Sequence, residues 1–339
     1  MKPFLVDVPV KINIWIRPLC QRKQFEVIRE ARPSILFIQS DGGRNEEEWE
    51  TIRQNRKMIE EGIDWDCTVY KIYEDHNNGL YAMIDKVGEY VWKRVDRCIL
   101  LEDDSIPSIS FFKFCAELLE KYKDDTRIEC ICGFNILNKW EKASSDYFFT
   151  RQGSIWGFAT WRRVYEEYGN FTYGQDDYTM NLLKVQTKGN SAAWRQLNGY
   201  SKQDIFDGHP AGIEFYTQFH MYSQNRLQIV PKYNLIECMG ADKLSYHEVP
   251  IDQTPKGMRC LYNSATYEYK FPLKHPQFVI PDVEFEKKRN RVMAKGHPFV
   301  QFYRNIEKAF YKIRAGETKF VMQKIKKKIL SRKGKATEK

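Results

Sequence analysis

Residues Arg97–Cys115 read RCILLEDDSIPSISFFKFC. Ile99, Leu100 and Leu101 form a short apolar run of the kind a fully buried strand uses. Glu102, Asp103 and Asp104 follow at once, and no core accepts three carboxylates in a row. Pro107 and Ser108 then supply a turn and a helix cap for the amphipathic stretch 108–123. The segment is therefore a strand, an acidic stop and a helix.

The same alternation extends in both directions. VPVKINIWIRP (8–18) reads as a first strand stopped by Pro18, and 20–31 reads as a helix that ends before Pro33. Residues 34–43 form a buried strand closed by Asp41-Gly42-Gly43. Residues 44–62 form a charged helix closed by Gly62. Strands at 67–75 and 127–135 and a helix at 79–95 complete the series. Strands alternating with helices imply an α/β fold, a mostly parallel sheet flanked by helices on both faces. Ligands of such sheets bind beyond the carboxyl ends of the strands. Arg17-Pro18, Asp41-Gly42-Gly43 and Glu102-Asp103-Asp104 all fall on that edge.

Bulk properties narrow the function. With 42% hydrophobic and 29% charged residues, the chain of 339 is long enough for an ample core and is not of disordered type. Residues 312–339 carry eleven basic and two acidic side chains, which equals the whole excess of +9. The body 1–311 is thus neutral, which argues against a nucleic-acid partner. The eight cysteines show no disulfide spacing and no CxxC pair, so reduced thiols in a cytoplasmic protein are expected. No stretch approaches the ~20 apolar residues of a membrane span.

Adjacent carboxylates at a rigid strand end suit a hard divalent cation, manganese or magnesium, shared with a diphosphate. A nucleotide-sugar presents such a group, because its leaving group is a nucleoside diphosphate. The competing reading of the triplet is a solvated acidic turn. Pro107 and Ser108 already serve the following helix, which leaves the acids without a capping role.

RCILLEDDSIPSISFFKFCAELLEKYKDD (97–125) followed by ICGFN (131–135) resembles the GT-A-fold glycosyltransferases of bacterial surface-polysaccharide pathways, related to glycosyltransferase family 2. It is also distantly similar to the N-acetylglucosaminyltransferase of N-glycan maturation. The resemblance continues through NNGLYAMI (77–84) and YFFTRQGSIWGFATWRRVYEEY (147–168), and weakly through 212–240. It implies a metal-dependent, inverting transfer from a UDP-sugar or similar donor to a glycan or lipid-linked acceptor. By the same resemblance Asp104 is the metal ligand, with Glu102 and Asp103 at the ribose or a metal-bound water. Asp41 reads the base in a pocket lined by Arg17 and Pro18, and Asn78 and Gly79 lie beside the nucleotide. GSIWGFATW (153–161) becomes a loop and helix start lining the donor and acceptor cleft, with Trp156 on a sugar ring and Gly157 allowing close backbone approach. His247, after the last strand, is a metal or phosphate ligand.

An inverting transfer needs a carboxylate to take the acceptor proton. Counting back from Pro231 puts Glu214 at the position the family gives to an Asp, although Ile213 stands where the family has Trp. Asp204, Asp207 and His209 are the competitors. The resemblance covers residues 9–250 and suggests a catalytic domain at 1–270, divided into a nucleotide-binding half (1–135) and an acceptor half (136–270). A helical segment follows at 271–316, then a basic amphipathic tail at 317–339. In the helical segment, residues 297–316 read as an amphipathic helix whose Phe and Ile face docks on the body. The tail suits an anionic membrane surface, which would place the protein peripherally on the inner face of the membrane. Two rivals remain open. One is a sugar-nucleotidyltransferase, for which 16–24 holds the basic residues but no Gly-rich phosphate loop. The other is a non-catalytic binding module of the same fold. Loops at 136–155 and 170–212 are expected to set specificity.

Overall fold

Apolar strands that must be covered on both faces, joined by helices with one apolar stripe each, leave a layered sandwich as the arrangement that buries them all. The computed structural model describes residues 1–169, 172–188, 190–203, 205–241 and 250–316, with Thr318 and Met322. In chain order the first elements are β1 (Val10–Ile14), α1 (Pro18–Ala31), β2 (Ile35–Ser40), α2 (Glu46–Gly62), β3 (Thr68–Tyr73), α3 (Leu80–Val87) and β4 (Arg97–Leu101). Next come β5 (Ser105–Pro107), α4 (Ile109–Lys121), β6 (Ile128–Cys132), β7 (Tyr147–Thr150), β8 (Phe158–Trp161) and the single turn α5 (Arg162–Tyr165). The second half holds α6 (Asp177–Gln186), α7 (Ser191–Tyr200), β9 (Ile205–Phe206), β10 (His209–Pro210), α8 (Ile213–Ser223), β11 (Leu227–Pro231) and β12 (Ile236–Cys238). The last described helices are α9 (Val283–Val292) and α10 (Pro298–Arg314).

The central sheet has the order β3-β2-β1-β4-β8-β6-β11-β7. β3, β2, β1 and β4 are parallel neighbours, and β6 and β11 pair in parallel. β8 runs antiparallel between β4 and β6, and β7 runs antiparallel to β11 at the edge. This is the mostly parallel, helix-flanked, Rossmann-like sheet expected from the alternation of elements. Ile12, Ile38, Ile99 and Ile131 are fully buried along its middle, and Phe111, Phe112 and Phe114 of α4 cover one face.

Local chemistry sets the helix starts. Pro18 occupies the first turn of α1, where its missing N–H costs nothing. The Asn45 side chain accepts the Glu48 N–H at the start of α2, and Glu46, Glu47 and Glu48 oppose the positive end of the helix dipole. A second, smaller cluster of Tyr173, Leu183, Leu197, Tyr200 and Phe215 ties α6, α7 and α8 together.

Four expectations are corrected here. Residues 158–161 are not a helix start but the strand β8, since an antiparallel gap between β4 and β6 takes up their aromatic and β-branched side chains. Residues 105–107 are not a free turn but a strand, β5, paired with β12; Ser108 sits at the cap position of α4 without making a capping bond. The stretches 136–155 and 170–212 are not plain loops, for they contain β7 and the helices α6 and α7. Finally, α10 docks by its polar face. Arg304 is buried and donates to the Gly257 carbonyl at 3.4 Å, Glu307 accepts the Lys256 N–H at 3.0 Å, and Tyr311 carries Arg259 over its ring. Phe299, Phe302, Ile306, Phe310 and Ile313 on the opposite side remain exposed.

Among the described residues no helix is long and apolar enough to cross a membrane. Six of the eight cysteines are buried and all are unpaired. His247 and the tail 317–339, Thr318 and Met322 apart, lie outside the described residues.

Candidate active site

β4 carries its apolar residues to Leu101 and delivers the acid turn at the carboxyl end of the sheet. There β5 turns back and pairs with β12, so that Met239 N–H donates to the Asp104 carbonyl at 2.9 Å. Gly240 lies directly over the Asp104 carboxylate; a Cβ on it would collide with Asp104 Oδ2. The turn is held from below by α1, whose Gln24 Nε2 donates to the Glu102 and Ser105 carbonyls at 2.6 and 2.8 Å.

Arg17, at the end of the neighbouring strand β1, faces the acids. Its Nη1 donates to Asp104 Oδ2 at 3.1 Å, and its Nη2 to Asp103 Oδ1 at 3.2 Å. The Arg17 side chain is 8% exposed and those of Asp103 and Asp104 are 13% and 16% exposed, so these are ion pairs largely removed from water. The acids thus engage the guanidinium of Arg17, the residue expected beside Pro18 at the base. Pro18 is exposed beside it. Lys11, buried on β1 and donating to Asn13, adds a second positive charge near Glu102 and Asp103. Burial lowers its amine to about 8 against the pull of those acids.

The acids repel one another. Desolvation, then Asp104, Glu214 and Asp103, push the Glu102 carboxyl upward. Its side chain still meets solvent at the cleft, and water screens part of that push. Asp103 is also pushed up by burial, with Arg17 opposing.

Asp41 closes the next part of the rim. Its Oδ1 accepts the Gly42 and Asn78 N–H groups, both at 2.9 Å, and its Oδ2 accepts the Gly79 N–H at 2.9 Å and Asn77 Nδ2 at 3.2 Å. Both oxygens are thus engaged by the β3–α3 loop, and Asp41 orders that loop. A base read by Asp41 would have to share these oxygens. Gly79, at φ 83°, starts α3 with open space where a side chain would stand. From α3, Tyr81 stacks on His209 at 5.6 Å and lies beside Gly212, so the loop after β3 meets the segment leading into α8.

Glu214 stands in the first turn of α8 and lines a cavity of about 320 Å³ together with Trp156, Phe134 and Gln228. Its charge reaches Glu102, which joins the cavity electrostatically to the acid turn. Trp156 packs on Phe134 at 5.1 Å and stacks with Tyr262 at 6.1 Å, leaving the rest of the ring on the cavity. Gly157 has a reason other than ligand approach: φ is 64°, and a Cβ would press on Ile236 Cδ1 at 2.6 Å. Of the competitors for the base, Asp207 is exposed and paired with Arg195, and His209 is exposed on Tyr81. Asp204 lies outside the described residues.

The chemistry of the acid turn fits a divalent cation. It offers hard oxygen donors, repulsion among three carboxyls, and bare glycine backbone over Asp104. Among the described residues no three His, Cys, Asp or Glu ligands converge on one point. Asp104 and Asp103 are the residues that would hold such an ion, and the remaining ligands would come from substrate or water, as hard cations commonly arrange.

Three contributors escaped the sequence reading: the pairing of Arg17 with the acids, the Gln24 brace, and the basic residues Arg289 and Lys295 on the cavity wall. Only Arg17 left a signal, since it ends a strand at the same sheet edge as the acids. No family model matches the chain, and no curated protein matches it. Among solved structures the chain is similar to UDP-glucose pyrophosphorylase complexed with UDP-glucose, with 11% identity and a TM-score of 0.36, over 68% of this chain and 91% of that one.

Proposed function

We propose that the protein is a nucleotide-sugar-dependent glycosyltransferase of GT-A type, inverting at the anomeric carbon, with a UDP-sugar as donor and a glycan or lipid-linked acceptor. The observation that carries this reading is the acid turn of Glu102, Asp103 and Asp104, set beside Arg17 at the carboxyl edge of the sheet.

In this reading the donor's diphosphate lies at the acid turn. Asp103 and Asp104 would hold a divalent cation there, which would supply positive charge to the diphosphate oxygens. Arg17 contributes a second, fixed positive charge at the same place. Glu214 accepts the acceptor hydroxyl proton while that oxygen bonds to the anomeric carbon and the bond to the diphosphate oxygen breaks. Trp156 offers an aromatic face to a sugar ring, and Asn78 and Gly79 border the nucleotide on the loop that Asp41 orders. His247 would join the metal or phosphate shell.

The first β–α connection bears on the rival nucleotidyltransferase. α1 begins at Pro18 directly after Arg17, with no glycine-rich loop to cradle a triphosphate. The exposed stripe of α10, followed in sequence by the basic tail, supports a peripheral position on an anionic membrane. Donor hydrolysis tests the central claim. With manganese or magnesium the protein is expected to release UDP slowly from one UDP-sugar of a panel, and Asp104→Ala to stop it. Pyrophosphate release from a nucleoside triphosphate would favour the nucleotidyltransferase, and absence of turnover with every donor and acceptor would favour a binding module.

A further inference from the structure

The cavity beside Glu214 has a charge imbalance that the transfer chemistry does not use. Its wall carries one acid, Glu214, and three bases, Arg151, Arg289 and Lys295. Among the described residues Arg289 donates to neutral oxygens alone, Gln152 Oε1 at 3.2 Å and the Gly153 carbonyl at 3.4 Å. The carboxylate that acts on it, Glu286, makes no ion pair with it; Glu286 Oε1 instead accepts from Thr150 Oγ1 at 3.0 Å and the Arg151 N–H at 2.7 Å. Among the described residues the Lys295 amine has no hydrogen-bond or carboxylate partner.

Among the described residues these two half-buried cations face one cavity and neither pairs with its single acid, Glu214, a costly arrangement because each loses hydration and repels the other. The titration of both groups carries that cost. Burial holds the Arg289 guanidinium down to about 10, and burial followed by the Arg289 charge holds the Lys295 amine down to about 8. An oxyanion in the cavity would relieve both. The rest of the wall suits a sugar: the amide nitrogens of Gln152 and Gln196 and the amide oxygen of Gln218 offer donors and an acceptor for hydroxyls beyond the bonds their other ends make, and Trp156 offers a flat apolar face. At about 320 Å³ the space is within the range of small-molecule sites, roughly 300–1,000 Å³.

We propose that Arg289 and Lys295 form an oxyanion subsite in this cavity and that the acceptor is an acidic sugar, bearing a carboxylate or phosphate that the two cations hold. The acceptor assignment rests on the reading of the Glu214 cavity as the acceptor cleft; the anion subsite rests on the wall itself.

The test is equilibrium binding to the full chain without nucleotide or metal, read by ligand-observed NMR near neutral pH. The probes are methyl β-glucuronide, its uncharged counterpart methyl β-glucoside, and glucose 6-phosphate. The glucuronide or the sugar phosphate is expected to bind about tenfold or more tightly than the glucoside; their ranking shows whether carboxylate or phosphate is the natural group. Lys295→Gln should remove most of that preference and Lys295→Arg should keep it. Arg289→Gln should act like Lys295→Gln, and the Lys295 pair stands as the test if Arg289→Gln does not fold. Equal binding of charged and uncharged sugars, no binding of any, or a preference unchanged in Lys295→Gln overturns the subsite. Displacement of the glucuronide by UDP alone would put the cations at the donor diphosphate and overturn the acceptor assignment. Because no donor is present, a preference for the glucuronide in a chain that turns over no UDP-sugar with or without an acceptor would uphold the subsite and refute the transferase.

Discussion

Arg17 Nη1 stands 3.1 Å from Asp104 Oδ2, joining the ends of two adjacent parallel strands, β1 and β4, through residues 87 positions apart. The guanidinium is the one cation paired with Asp103 and Asp104 among the described residues, so its removal leaves those two acids without an ion-pair partner and Lys11 as the nearby positive charge. Arg17→Met is expected to lose about 3–5 kcal/mol of stability, the usual cost of breaking a buried ion pair from one side. Millimolar manganese should restore much of that loss in the variant and raise the wild-type melting temperature less. A thermal-unfolding series with and without metal reads both, and an equal metal effect on the two proteins would count against a cation at Asp104.

Glu129, on β6, is fully enclosed and accepts from Arg226 Nη1 at 3.0 Å, with His220 Nδ1 at 2.9 Å on its other oxygen. Arg226 also reaches Glu167. This network pins α8, and with it Glu214, to the sheet. Glu129→Gln should destabilise by about 1–3 kcal/mol in urea unfolding, because it leaves the buried Arg226 guanidinium with half-exposed Glu167 as its one carboxylate partner among the described residues. A loss below ~1 kcal/mol would mean that water already serves Arg226.

The stripe of Phe299, Phe302, Ile306, Phe310 and Ile313 gives α10 an apolar face with no protein cover among the described residues. Changing Phe302, Ile306 and Phe310 to Ser should reduce sedimentation with phosphatidylserine-containing vesicles at least about tenfold, since each side chain withdrawn from the bilayer forfeits roughly 1–2 kcal/mol. Removing 317–339 should chiefly abolish the salt-sensitive part. Unchanged vesicle binding in the triple variant, with a lower dimer content on gel filtration, would identify a second copy as the cover.

Lys295 contributes to alkaline behaviour, as does Lys11. Its amine titrates near 8 in the folded chain against about 10.5 when free, so between those values the unfolded chain holds the extra proton. Stability from this site therefore rises with pH from 8 to 10.5 and is lowest below 8. Lys295→Met should stabilise the protein by roughly 1–2 kcal/mol at pH 7, after allowance for solvent at the cavity mouth, and the gain should vanish above about pH 10.5. Urea midpoints across pH 7–10 would show a gain that does not change with pH if Lys295 were instead fully hydrated.

The acid turn was legible because an apolar run cannot continue into three carboxylates, and the strand–helix alternation around it gave the direction of the sheet. The partner of the acids was not legible: Arg17 reaches them only because β1 and β4 are neighbours, a pairing that local pattern does not encode. Phe158-Ala159-Thr160-Trp161 failed as a helix start because three apolar residues and a threonine over four positions satisfy either period, and the gap between β4 and β6 decided for strand. The amphipathic pattern of 297–316 correctly announced one apolar face. It could not say which face the body would take, and Arg304, Glu307 and Tyr311 took the polar one. Arg289 and Lys295 fall in a run of surface-like charge, and only the fold turns them inward.

β8 has a consequence for the order in which the chain can be made and closed. β4 and β6 are synthesised before Phe158–Trp161, yet within the sheet β8 lies between them. A nascent chain halted at residue 135 leaves β4 with one partner, β1, and a bare second edge beside the acid turn. β6 would lack both β8 and β11. The stretch 1–135 is thus an unfinished sheet rather than a module that could be exchanged, and the acid turn reaches its final setting only after the ribosome has passed β12 at Ile236–Cys238.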